Sequence, residues 1–145
     1  MNQWTTTKLN EILINIDKQE DLNDYLNKEN VLCNYDCFAD YFLSLDKIKD
    51  MNKADLIRLS GIERTYGYQI LNKTKDNPSK DKIIRLSLAG KLTLNETIKA
   101  LEAGKEKVLY SRNKRDAIII YAINNGLDVI DTNDLLDNYG EEILK

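Results

Sequence analysis

The 145-residue sequence contains no histidine. That removes the commonest general base and the commonest nitrogen ligand for transition metals. No Ser-His-Asp triad, Cys-His pair or histidine metal site can be assembled from it. Two cysteines, Cys33 and Cys37, are too few for a cysteine cage around zinc. Four apart, they fit neighbours on one helical face and read as reduced thiols. The longest apolar run, residues 117–123, is far short of the roughly 20 residues that a bilayer span needs. The opening MNQWTTTKLNEILINIDKQED has no basic segment leading into an apolar stretch, so it does not resemble a signal peptide. Carboxylates are plentiful, but none stands in a motif with a nucleophile, a phosphate loop or metal-ligand spacing. The expectation is a cytoplasmic protein that is not an enzyme, with no metal, no cofactor and no membrane partner.

What is present describes one folded domain with extensions. Hydrophobic residues at 42% beside 31% charged ones are too apolar a mixture for a disordered chain. The net charge of -3 hides a strong asymmetry. Residues 1–46 carry 3 Lys and Arg against 9 Asp and Glu, residues 47–115 carry 17 against 8, and residues 116–145 carry 1 against 7. A basic middle of net +9 between two acidic ends of -6 is the footprint of a unit that binds a polyanion. The competing reading is a solvated basic face balanced by the protein's own acidic ends.

The apolar spacing is helical throughout. Leu9, Ile12, Leu13 and Ile16 fall on one stripe, and Phe38, Tyr41, Phe42, Leu45 and Ile48 on another. No strand alternation stands out. Thr93-Leu94-Asn95-Glu96 reads as a capping box, Asn52 and Asn113 as looser N-caps, and Ser79 after the single proline, Pro78, as a plain cap. Gly61, Gly104 and Gly126 sit where helices should stop. These signals predict helices near 7–16, 20–28, 36–49, 53–60, 63–72, 80–89, 94–103, 114–125 and 132–138, an all-α fold.

Residues 53–72, KADLIRLSGIERTYGYQILN, read as two short helices joined at Ser60-Gly61-Ile62. Glycine takes positive φ without a Cβ penalty, and Ile62 can plug the angle between the helices. That is a helix-turn-helix. Its second helix is expected to bury Tyr66 and Ile70 and to leave Arg64, Thr65, Tyr68 and Gln69 facing outward. Arg suits guanine, Gln suits adenine, and Thr suits a polar edge or a thymine methyl.

Residues 60–101, SGIERTYGYQILNKTKDNPSKDKIIRLSLAGKLTLNETIKAL, resemble the phage-repressor-like helix-turn-helix family of transcriptional regulators, the XRE or Cro/CI type of bacteria and phages. The resemblance covers residues 37–103. It implies a five-helix lambda-repressor-like domain at residues 36–104, whose residues 53–60 cross the DNA backbone while residues 63–71 enter the major groove. Carried over residue by residue, Lys53 touches phosphate, Arg64, Thr65, Tyr68 and Gln69 read bases or adjacent phosphates, and Asn72, Lys73 and Lys75 line the sugar-phosphate backbone. Three positions depart from the family's pattern. Ile57 stands where a small alanine is usual, Gly67 where a larger aliphatic residue is usual, and Lys73 where glycine commonly ends the helix. The first predicts a wider crossing of the two helices, and the second costs a helix about 1 kcal/mol relative to alanine.

Two extensions flank this domain. Residues 1–35 are an acidic helical extension, a candidate arm for a protein partner and a candidate mask for the basic face. Residues 105–145 form a basic loop, Tyr110-Ser111-Arg112-Asn113-Lys114-Arg115, and a C-terminal apolar helical region that serves either the core or a homodimer seam. The leading expectation is a sequence-specific regulator, a repressor, that binds double-stranded DNA. The alternative is a helical adaptor that binds another protein through the same domain.

Overall fold

In the computed structural model the described residues are 6–27, 35, 37–74 and 77–145, and all of their regular structure is helical. The chain divides into two compact units, residues 1–34 and 35–145. The first contains α1 (Thr6–Ile14) and α2 (Gln19–Asn27). Leu9, Ile12 and Ile16 are half-buried along one side of that unit, whereas Ile14 is exposed. Cys33 lies outside the described residues, and Cys37 carries a half-buried reduced thiol.

The second unit runs α3 (Phe38–Ser44), α4 (Asp46–Lys49), α5 (Lys53–Ser60), α6 (Arg64–Leu71), α7 (Lys80–Ala89), α8 (Leu94–Ala103), α9 (Lys114–Asn124) and α10 (Val129–Asn138). The single helix expected over 36–49 is therefore two. Leu45 adopts φ -72 and ψ 130, its N–H closes on Phe42, and its carbonyl opens α4 by accepting from Ile48 and Lys49. The apolar stripe continues through the break, since Phe38, Phe42 and Ile48 are all buried.

The caps are local and satisfied. Thr93 and Glu96 form a reciprocal capping box on α8, Asn52 accepts from Ala54 and Asp55, Ser79 from Lys82 and Asn113 from Asp116. At the end of α8 the left-handed residue is Lys105, with φ 59, and not Gly104. Gly104 serves a close approach instead, because a Cβ there would sit 2.5 Å from Ile83 Cδ1.

Helix α7 is the hub. It packs on α5, α8 and α10, and Ile83, Ile84, Leu86, Leu88 and Ala89 are buried around its circumference. Lys80, Asp81, Lys82 and Arg85 stay half-buried on the same helix, and the neighbouring helices enclose its apolar residues. The Phe38 and Phe42 rings stack beside it with centroids 4.9 Å apart. Ile119, Ala122, Ile123, Val129, Leu136 and Leu144 are buried in the same unit, so residues 105–145 share its core. Tyr121 alone on the apolar stretch of α9 points well into solvent, 56% exposed.

Candidate functional site

The α5–α6 corner is built from its turn outward. Ser60 is fully buried; its hydroxyl donates to the Ile57 carbonyl at 2.6 Å and accepts from the Ile62 N–H at 3.2 Å. Gly61 sits at φ 71 and ψ 11, the left-handed region that side-chain-bearing residues avoid. Ile62, 6% exposed, fills the angle between the helices.

Helix α6 then buries Gly67, Ile70 and Leu71, one face at helical spacing. Tyr66, expected inside, is half-buried, because it stands one residue and about 100° away from the centre of that face. Gly67 takes the central place because Ile57 presses against it: a Cβ on Gly67 would lie 2.6 Å from Ile57 Cγ2 and 3.0 Å from Cγ1. Two positions that each looked irregular are one complementary contact, a large residue on α5 seated on a missing side chain of α6.

Arg64 and Thr65 on α6 and Asn72 at its C-cap are exposed. Tyr68 and Gln69 are half-buried on the same helix, less open than the outward placement expected of them. Arg64 lies over the Tyr68 ring at 5.9 Å from the centroid, a cation–π contact that steadies a long side chain in water. Lys53 opens α5, exposed, one residue after its Asn52 cap. Lys73 follows α6 in the left-handed region at φ 60, and the Thr74 N–H closes the helix end on the Gln69 carbonyl at 3.0 Å. Lys75 lies outside the described residues. Among the described residues no group of three or more His, Cys, Asp or Glu is placed to hold a metal ion, and no helix is long and apolar enough to cross a membrane.

Two acids shape this surface in ways that spacing alone did not reveal. Glu63 is the N-cap of α6, accepting from Thr65 N–H at 3.0 Å and Tyr66 N–H at 2.8 Å. Those backbone bonds, Tyr66 first, hold its carboxyl below the usual range. The glutamate is visible in the sequence beside Arg64, but its capping role needs α6 to start at Arg64. Asp40, on α3, pairs with the Lys73 ammonium, whose bond holds the Asp40 carboxyl low. The partners are 33 residues apart, and no local pattern marks them.

Compared with protein-family models, with curated proteins and with solved structures, the chain matches none.

Proposed function

We propose that residues 53–73 form the helix-turn-helix head of a sequence-specific regulator of transcription that binds double-stranded DNA and represses by occupying its site. One observation carries the reading. A tight left-handed turn with a buried plug locks α5 against α6, and Arg64 and Thr65 on the first turn of α6, Asn72 at its C-cap and Lys53 at the start of α5 are all left exposed. In such a head α5 crosses the phosphate backbone and α6 lies in the major groove. Arg64 suits the paired acceptors of guanine, Thr65 and the margin residue Gln69 reach neighbouring edges, and Lys53 and Asn72 position the head on phosphates.

The test is fluorescence anisotropy of a labelled duplex pool at two salt concentrations, for the wild type and Arg64→Ala. Affinity is expected to fall steeply with salt, as released counterions require. Arg64→Ala is expected to weaken binding about tenfold or more. A folded protein that leaves the duplex unbound at low salt overturns the reading.

A second reading, a helical adaptor for another protein, has its own support. Glu63 occupies amides at the start of α6 where a phosphate would dock, and Asp40 engages Lys73. Both place an acid on the face that DNA would approach. Retention of a partner by the wild type, with no duplex binding and with loss on Arg64→Ala, selects the adaptor.

A further inference from the structure

Residues 142–145 run without regular structure, yet more than half of their backbone N–H and carbonyl groups are bonded to side chains. Arg115 Nε donates to the Glu142 carbonyl at 2.9 Å and Arg115 Nη2 to the Ile143 carbonyl at 3.3 Å. The Leu144 N–H donates to Asn133 Oδ1 at 2.8 Å, and its carbonyl accepts from Arg85 Nη2 at 2.6 Å. The Lys145 N–H donates to Asp81 Oδ2 at 3.0 Å. Asp81 in turn takes both Arg115 Nη atoms, at 3.2 and 3.0 Å.

Only one side chain of the segment is engaged in depth. Leu144 is 1% exposed, while Glu142, Ile143 and Lys145 face solvent. A surface that satisfies the backbone and seats one aliphatic anchor recognises an extended peptide with little regard for its neighbouring side chains. An open cleft of about 690 Å³ beside Glu141 and Glu142, bounded by Lys107, Val108, Tyr110 and the starts of α7 and α9, continues the groove and leaves room for a longer segment.

Arg85 joins this groove to the α5–α6 corner. Its Nη1 donates to the Ser60 carbonyl at 3.0 Å, and a Cβ on Gly61 would lie 2.7 Å from that nitrogen. Its Nε is buried with no hydrogen-bond partner among the described residues. The guanidinium is therefore held between two carbonyls, one on the corner and one on the segment. Removing the second leaves Nη2 without its acceptor beside the unpartnered Nε, so the side chain that holds the Ser60 carbonyl loses its other anchor.

We propose that the groove walled by α7, α9 and α10 is a docking site for an extended peptide with a leucine-sized anchor, filled here by the chain's own residues 142–145, and that Arg85 relays its occupancy to the α5–α6 turn. The inference goes beyond the DNA reading and stands whatever α6 binds, because its readout is the turn itself.

The test uses the full chain with Leu144→Asp, which expels the anchor and leaves Arg85, Asp81, Arg115 and Asn133 in place. Hydrogen exchange at the Gly61 and Ile62 amides is expected to speed up about tenfold or more. A labelled peptide of residues 139–145, YGEEILK, is expected to bind this variant and restore protection at those two amides; the same peptide with serine at the leucine position is expected to do neither. If Leu144→Asp does not fold, Leu144→Ala carries the same measurement. Exchange changes confined to residues 133–145 overturn the relay. A folded variant that ignores the peptide overturns the docking site.

Discussion

The α6 face and the α7–α9 groove each carry their own cations from the basic middle of the chain and use them in opposite ways. Arg64 and Lys53 stand in solvent, and the ring beneath Arg64 belongs to its own helix. Arg85 and Arg115 turn inward, where Arg115 and Asp81 keep 22% and 18% of their side chains exposed and hold other parts of the chain. Lys80 pairs with the buried Asp116, whose Oδ2 also accepts from the Tyr110 N–H. The surplus of positive charge along residues 47–115 is thus not one surface. Part of it holds the fold, where losing one partner strands a desolvated group, and part remains for whatever approaches α6.

The sharpest way to break that comparison is to make one substitution in each region. Arg85→Ala leaves the Ser60 and Leu144 carbonyls without their donor and is expected to cost about 3 kcal/mol in urea denaturation. Arg64→Ala is expected to change stability by less than about 0.5 kcal/mol while weakening duplex binding. Equal losses of stability would erase the distinction. Next in size is Gly67→Ala, which improves helix propensity yet meets the β-branched Ile57, for an expected net loss of about 1–2 kcal/mol. Ile57→Ala alone opens a cavity, and the double variant is expected to depart from additivity by about 1 kcal/mol or more, since each change relieves the other.

Acid titration separates the regions again. Burial pushes the Asp81 carboxyl up, but hydrogen bonds from Arg115 and the Lys145 N–H, with the charges of Arg115 and Arg85, hold it below the usual range. A depressed carboxyl adds stability that is fully present above its unfolded pKa and is lost as pH falls through its folded one. The midpoint for urea is therefore expected to hold steady above about pH 5 and to fall below about pH 4, with a shallower fall in Asp81→Asn. A smaller effect is expected from Glu63→Gln: duplex affinity rises severalfold at low salt if phosphate approaches the start of α6, and stays unchanged under the adaptor reading. Smallest of all, Lys105→Gly relieves a left-handed φ of 59 and is expected to stabilise by about 0.5 kcal/mol.

What was legible in the sequence was what neighbours decide. Asn52, Ser79, Thr93 and Asn113 act within three residues of themselves, and each caps the helix expected of it. The break at Leu45 was hidden because it lies in one ψ angle, while the residues on either side keep their helical register. At α6 the four-residue spacing to Ile70 favoured Tyr66 for the interior; Gly67 holds the centre because its partner on α5 needs the space. Asp40 meets Lys73, and Asp81, Arg85 and Arg115 meet residues 142–145, across separations that leave no periodic trace.

The seat of Ile57 on Gly67 also constrains the order in which such a corner arises. From a corner with a small residue at 57 and a larger one at 67, enlarging 57 first forces two side chains into one volume beside the turn that orients α6. Shrinking 67 first leaves only a void, which a marginally stable fold tolerates more readily than a collision. For an exchange of the pair one residue at a time, the passable route runs through the hole, with 67 changed before 57.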